Sequence, residues 1–90
     1  MTAWIYILRL KSNQLYIGST RDLHQRYKDH VSGKACRTTK LDPPVELVYS
    51  EKYETFSEAR RREAQIKRWS RAKKEDLVAG DLSGLKKLSK

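Results

Sequence analysis

The sequence predicts an α+β fold, a small three-stranded antiparallel sheet flanked by helices in the order β-β-α-β-α-α. Three observations carry this expectation. Residues 4–10, WIYILRL, are apolar at nearly every position and rich in β-formers, the pattern of a strand covered on both faces. Residues 21–32 and 57–69 instead bring apolar side chains round at helical spacing. Between those two segments Pro43 and Pro44 stop any helix ahead of VELVYSEKY, which alternates as a strand does.

Taken in order, residues 4–10 form the first strand, expected at the centre of the sheet. KSNQ supplies turn chemistry and LYIGS a second strand, giving an antiparallel hairpin that ends at Gly18. Side chains alternate along strands, so Tyr6 and Tyr16 share a face only if the hairpin loop has an odd number of residues; a regular four-residue loop would separate them. Ser19 or Thr20 is placed to cap a helix running from Arg21 to about Ser32, with Gly33 as its stop. GKACRTTKLDPP reads as a surface loop before the third strand at 45–53. Ser57, with Thr55 nearby, starts a helix through about Trp69, and Ser70 starts a shorter one ending at Gly80. Residues 81–90 read as a marginal tail. The length suits one domain, 1–90, with one modest core.

Charge narrows the function. Twenty Lys plus Arg stand against eleven Asp plus Glu, a formal charge of +9, and such an excess on a small chain points to a polyanionic partner, nucleic acid first. Residues 57–74 hold eight basic and two acidic side chains, so the positive face belongs there. A helix built for solubility alone intersperses both signs; Arg60, Arg61, Lys67, Arg68, Arg71, Lys73 and Lys74 are therefore candidate phosphate contacts. No run approaches the ~20 apolar residues that span a bilayer, and MTAWIYILRLK lacks a basic n-region and a small-residue cleavage site, so a cytoplasmic location is expected. Cys36 is the sole cysteine. It has no disulfide partner, only His24 and His30 could begin to join it at a zinc ion, and it reads as a small loop side chain.

Two helices place polar side chains among apolar ones. At helical spacing Leu23, Tyr27 and Val31 fall one turn apart and define a buried stripe. His30 then sits on the edge of that stripe and Arg26 just beside it, away from the wet face that carries Gln25 and Lys28. A boundary histidine beside a snorkelling arginine is the structural reading of that pair. On the later helix Phe56, Ala59 and Ile66 form the apolar stripe, and Glu63 falls between Ala59 and Phe56 within it. A carboxylate inside an apolar stripe needs a cation or strong donors. Both readings stay open: an ion pair with Arg26 or another base, or a lone carboxylate ligand for Mg²⁺ or Mn²⁺, which keep several waters beside a phosphate. The strand-to-helix junction in LYIGSTRDLHQRYKDH, residues 15–30, offers free backbone N–H groups and arginine, both suited to phosphate.

These residues resemble the GIY-YIG nuclease superfamily, in particular its small stand-alone bacterial members of the UPF0213 type. WIYIL stands for the GIY segment, LYIGST for the YIG segment, DLHQRYKDH carries the helix Arg and His, and EARRREAQIK the acidic residue. The match runs through nearly the whole chain, and four elements in order make it specific. It departs at the first, where Trp4 replaces the family's glycine while Tyr6 is kept. The resemblance implies a GIY-YIG-like fold and a metal-dependent DNA endonuclease that leaves a 5′-phosphate and a 3′-hydroxyl, with one Mg²⁺ or Mn²⁺. It implies active-site roles for Tyr6, Tyr16, Arg26, His30 and Glu63, the last as metal ligand, with Gly18 allowing close backbone approach. Tyr6 is taken as general base, with His30 accepting or relaying its proton and cations favouring its phenolate; Tyr16 positions water or phosphate, and the reverse assignment is open. Single-stranded or branched DNA is favoured because a small site reaches a flexible phosphate most readily, RNA remains open, and DNA repair follows by association. The alternative is a non-catalytic nucleic-acid-binding module that keeps the fold and basic face.

Overall fold

The structure, a computed structural model, describes residues 2–79. Its sheet has the order β2-β1-β3, with β1 at Ala3–Leu10, β2 at Leu15–Thr20 and β3 at Pro44–Tyr53, all pairs antiparallel. The continuous apolar run is therefore the central strand, as its pattern requires. Among the described residues four helices accompany the sheet: α1 at Leu23–Val31, α2 at Arg37–Leu41, α3 at Phe56–Lys67 and α4 at Arg71–Val78. The order predicted from sequence is present, with the five-residue α2 added inside the segment read as a loop. RTTKL shows no apolar period and carries two β-branched threonines, so neither pattern nor propensity announced it.

β1 divides the core between the two faces of the sheet. Ala3, Ile5 and Ile7 pack with Ile17, Ala59, Ile66 and Leu77 on the side of α3 and α4. Tyr6, Leu8 and Leu10 pack with Tyr16, Leu23, Tyr27 and Leu47 on the side of α1. At ~25 cal/mol per Å² of apolar surface removed from water, the fully buried Ile5, Ile7, Leu8 and Ile66 each contribute about 1.5–3 kcal/mol, and this sandwiching holds β1 in register.

The hairpin closes on Leu10 and Gln14, where Leu10 N donates to Gln14 O at 2.9 Å, and Asn13 N donates back to Leu10 O at 2.8 Å. Its loop, Lys11–Asn13, is thus three residues long, and Asn13 takes a left-handed φ of 77° that asparagine tolerates. Tyr6 then faces Gly18 and Leu8 faces Tyr16. The odd loop places both tyrosines on one face.

Boundaries differ from expectation in instructive places. β2 continues past Gly18 to Thr20, which is buried. Its hydroxyl accepts from Asp22 N, and the cap of α1 is Asp22, whose carboxylate accepts from Gln25 N at 3.0 Å, in place of Ser19 or Thr20. Val31 is 53% exposed and does not belong to the stripe; His30, at i+7 from Leu23, takes the buried place with 1% exposure. Gly33, with φ of 80°, follows the end of α1. α3 starts one residue before Ser57 on a capping box, with Thr55 and Glu58 exchanging side-chain and backbone bonds. Ser70 caps α4 as expected; the stop at Gly80 and the tail 81–90 lie outside the described residues.

The rotation of α3 is fixed by Glu51 on β3. Arg62 forks onto both its oxygens at 3.0 and 3.1 Å, while Tyr53 Oη donates at 2.6 Å and Tyr49 Oη adds a further short bond. Holding residue 62 towards β3 turns residue 63, the next position round the helix, towards β2. No helix among the described residues is long and apolar enough to cross a membrane.

Candidate active site

A cleft of about 250 Å³ opens over the edge strand β2 at Gly18 and Ser19. Tyr6 of β1, Tyr16 of β2, and Arg26 and His30 of α1 line one side; Phe56, Arg60 and Glu63 of α3 line the other. The two groups come from opposite faces of the sheet. They meet because β2 is an edge strand and because Gly18 carries no side chain. A Cβ there would lie 2.6 Å from Tyr6 Cζ and closer still to the hydroxyl. Gly18→Ala is therefore expected to push the Tyr6 ring from its place and cost about 1–3 kcal/mol, read from urea denaturation, as overpacking does elsewhere.

Tyr6 Oη and His30 Nε2 are hydrogen-bonded at 2.8 Å, and both side chains are buried, at 3% and 1% exposure. His30 Nδ1 is bonded at 2.8 Å to Thr39 Oγ1 of α2. Tyr16 sits beside them, its ring 6.4 Å from that of Tyr6 and edge-on to His30 at 5.0 Å. Burial, then the neighbouring Tyr16, drives the Tyr6 phenol well above its usual range, and the opposing pull of Arg26 does not offset this. Burial also raises Tyr16, to about 12, with Cys36 adding to it. Nearby cations therefore do not leave a standing phenolate, and both tyrosines rest as neutral phenols.

His30 moves the other way. Burial, followed by the charge of Arg26, lowers it below the ordinary imidazole value, so the ring is neutral near pH 7. With its folded value depressed, its contribution to stability is full above the unfolded value of ~6.5 and is lost as pH falls through the lower folded value. The urea midpoint is expected to hold steady from about pH 8 to 7 and to decline below about 6. In His30→Gln that decline should shift to the carboxylate range.

Glu63 has two partners. Its Oε1 accepts from Ser19 Oγ at 2.5 Å, and its Oε2 pairs with Lys67 Nζ at 2.7 Å, one helical turn along α3. The carboxylate in the apolar stripe is thus balanced by Lys67 and not by Arg26. Arg26 and Arg60 have no carboxylate partner among the described residues. The Arg60 and Arg21 guanidiniums lie over the Phe56 ring, 5.8 and 4.8 Å from its centroid. Among the described residues the cleft holds one carboxylate and two guanidiniums without a carboxylate partner, a charge pattern suited to a phosphate.

Residues 2–76 match the GIY-YIG catalytic domain. The chain belongs to the GIY-YIG family. Among GIY-YIG relatives, a UPF0213 protein of Staphylococcus saprophyticus is 42% identical over 76 residues, which is 84% of this chain and 93% of that protein. The UPF0213 protein YazA of Bacillus subtilis is 42% identical over 72 residues, 80% of this chain and 73% of YazA. The solution NMR structure of a UPF0213 protein from Bacillus halodurans superposes with a TM-score of 0.57 at 39% identity, covering 88% of this chain and 84% of that one.

Of the residues expected at a GIY-YIG site, the cleft brings together Tyr6, Tyr16, Gly18, Arg26, His30 and Glu63, with Arg60 from the basic run. Trp4, the departure from the GIY pattern, lines a separate groove with Leu23, Tyr27 and Leu47. The remaining cations spread out. Lys67 pairs with Glu63, Arg61 and Arg68 are exposed, and Lys74 is half-buried. Lys73 lies 4.3 Å over the Trp69 ring. Arg71 is tied to Glu75 and to Asn13 O at the hairpin tip, about 17 Å of strand from Gly18. Sequence reasoning missed Ser19 and Thr39, and read Cys36 as a small loop side chain. Ser19 was weighed only as a cap, and Thr39 lies in a segment whose short helix has no sequence signature.

Metal fit turns on Glu63. No group of three His, Cys, Asp or Glu side chains able to hold an ion occurs among the described residues, and Glu63 is the one carboxylate among the cleft's lining residues. That suits Mg²⁺ or Mn²⁺, which retain waters and share phosphate oxygens, and does not suit a zinc cage. Lys67 is 54% exposed and can swing aside at little cost, since exposed ion pairs contribute at most about 1 kcal/mol.

Proposed function

We propose that this chain is a metal-dependent DNA endonuclease that hydrolyses a phosphodiester to a 5′-phosphate and a 3′-hydroxyl, with single-stranded or branched DNA as its substrate. The observation that carries the reading is the Tyr6–His30 hydrogen bond at the wall of a cleft that also holds Glu63 and the unpaired Arg26 and Arg60. A phenol bonded to a neutral imidazole is a proton acceptor in waiting, and the guanidiniums supply the charge a phosphate needs.

Arg26 and Arg60 bind the non-bridging oxygens and stabilise the charge that builds on them. Tyr6 Oη accepts a proton from the attacking water while passing its own to His30 Nε2. For the resting pair that transfer is uphill by about 5 kcal/mol from reference acidities alone. It therefore accompanies formation of the O–P bond, which acidifies the water, and Tyr6 acts as a general base within the transition state. Tyr16 orients the water or the phosphate from the same face. Glu63 would hold the divalent ion, with Lys67 displaced; when bound, that ion stabilises the departing 3′-oxygen as a Lewis acid.

The basic run contributes unequally. Arg60 reaches the cleft, Arg61 and Arg68 remain open to a backbone running along α3, and Lys73 and Lys74 offer only peripheral charge. A short footprint of this kind suits flexible or distorted DNA better than a long regular duplex.

The test is cleavage of end-labelled single-stranded, branched and duplex DNA, and of single-stranded RNA, with Mg²⁺ or Mn²⁺ and with EDTA. Scission that requires the metal, prefers single-stranded or branched DNA and leaves 5′-phosphate ends supports the reading. Salt-sensitive binding to every substrate with no scission would replace it by a non-catalytic binding module.

A further inference from the structure

Thr39 is fully buried, at 0% exposure, and its hydroxyl lies 2.8 Å from His30 Nδ1. It stands third in a row behind the cleft: Tyr6 Oη, His30 Nε2, His30 Nδ1, Thr39 Oγ1. The order matters because a neutral imidazole carries one proton. Whichever nitrogen holds it, the other is an acceptor, and the partner at Nδ1 decides what Nε2 can do for Tyr6.

A threonine hydroxyl also has one proton. In a helix its usual place is on a carbonyl three or four residues back, and Thr39 Oγ1 has such an acceptor in Cys36 O at 3.5 Å. That bond is long, but it lies in the ordinary helical direction, and Cys36 Sγ, also 3.5 Å away and itself donating to Tyr16 Oη, offers the hydroxyl a second acceptor on the same residue. With its proton turned towards Cys36, Thr39 presents a lone pair to His30 Nδ1. The ring is then protonated at Nδ1 and bare at Nε2.

We infer that Thr39 is a positioning residue that holds His30 in the Nδ1–H tautomer, leaving Nε2 free to receive the Tyr6 proton. The inference rests on the nuclease reading for its catalytic meaning, while the tautomer itself does not. In the step it serves, water loses a proton to Tyr6 Oη and the water oxygen bonds to phosphorus. The Tyr6 proton moves to His30 Nε2, and the bond from phosphorus to the 3′-oxygen breaks with its electron pair on that oxygen. The 3′-oxygen takes a proton from solvent, and the His30 imidazolium, its Nδ1–H held by Thr39, later releases one to solvent. Thr39 touches neither water nor phosphate; it acts only through His30.

α2 thereby acquires a purpose. A helix of five residues without an apolar stripe is weak by itself, yet it sets Thr39 against His30 and puts Cys36 Sγ 3.6 Å from Tyr16 Oη. The charged and titratable groups facing His30 are Arg26 and Asp29 from its own helix, Tyr6 from β1, Tyr16 from β2, Cys36 ahead of α2, and Glu63 across the cleft from α3. Of the side chains among these elements, Thr39 is the one bonded to Nδ1.

The experiment is nitrogen-15 NMR of the His30 ring in the full chain near neutral pH, for wild type, Thr39→Val and Thr39→Ser, with cleavage measured on the same samples. Wild type and Thr39→Ser should show Nδ1 protonated and Nε2 bare. Thr39→Val, which keeps the shape and removes the hydroxyl, should move the proton to Nε2, where Tyr6 Oη can accept it. Cleavage by Thr39→Val should fall by about 100-fold in kcat, the lower end of what a general base contributes, with KM little changed, and Thr39→Ser should restore it. A wild-type ring protonated at Nε2 overturns the inference, as does a Thr39→Val ring that keeps its proton on Nδ1. If Thr39→Val does not fold, the wild-type and Thr39→Ser spectra decide alone. If the tautomers behave as stated and no sample cuts DNA, the positioning stands and the nuclease reading falls.

Discussion

Tyr6→Phe is expected to lower strand cleavage by about 10²–10⁴-fold, the range attributed to a positioned general base, while DNA affinity and fold persist. The substitution removes one oxygen and leaves the buried ring in place against Leu8, Leu10 and Leu23. What it takes away is the 2.8 Å bond to His30 Nε2 and the atom that would accept the water's proton. Leaving Nε2 unpaired in a buried site costs about 1–3 kcal/mol, so the variant should also unfold at lower urea. Single-turnover cleavage at saturating protein separates the chemical effect from binding. Tyr16→Phe in the same assay should lose less, because the Tyr16 hydroxyl has no hydrogen bond to the imidazole and its side-chain hydrogen bond is the long one, 3.6 Å, from Cys36 Sγ. A greater loss from Tyr16→Phe than from Tyr6→Phe would reverse the assignment of base and orienting residue.

Glu63→Gln should remove cleavage by a factor on the order of 10³, equivalent to the several kcal/mol of charge stabilisation a divalent ion supplies. The variant is nearly isosteric and can still accept from Ser19 Oγ. It loses the pair with Lys67, which is more than half exposed and contributes little to stability. Fold and DNA binding should therefore be preserved, and affinity is read directly by titration: removing a negative charge from a phosphate site leaves it equal or tighter. A drop in DNA affinity that matches the drop in cleavage would instead make Glu63 a binding or structural residue.

The central sheet was legible because β1 is apolar on both faces, a pattern few other elements share. The face shared by Tyr6 and Tyr16 was conditional on loop parity, and Asn13 in a left-handed turn supplies the odd loop. The anomaly of Glu63 was also visible, since a carboxylate among Ala59, Phe56 and Ile66 demands a partner. Its partners were not singled out: Lys67 stands at i+4 on the same helix, where an ion pair forms whatever the rotation, and the rotation imposed by Arg62 and Glu51 decides that the carboxylate faces Ser19. Periodicity identified His30 as core-facing yet placed Val31 with it, as a nine-residue helix gives too few turns to fix the centre of its stripe. Thr39 and Ser19 were illegible for a different reason. Their meaning lies in contacts 9 and 44 residues away in sequence, which no local pattern encodes. The spread of the basic run shows the same limit: charge composition indicated a positive face, but only Arg60 among its arginines lines the cleft.

The most direct measurement places wild type and Glu63→Gln side by side on end-labelled single-stranded DNA with Mg²⁺, each with and without EDTA, and with binding measured on the same preparations. Wild type should cut only with free metal, while Glu63→Gln should bind equally well and leave the strand intact. Wild type that binds without cutting, or a Glu63→Gln protein that cuts as fast as wild type, would contradict a nuclease site built on this cleft.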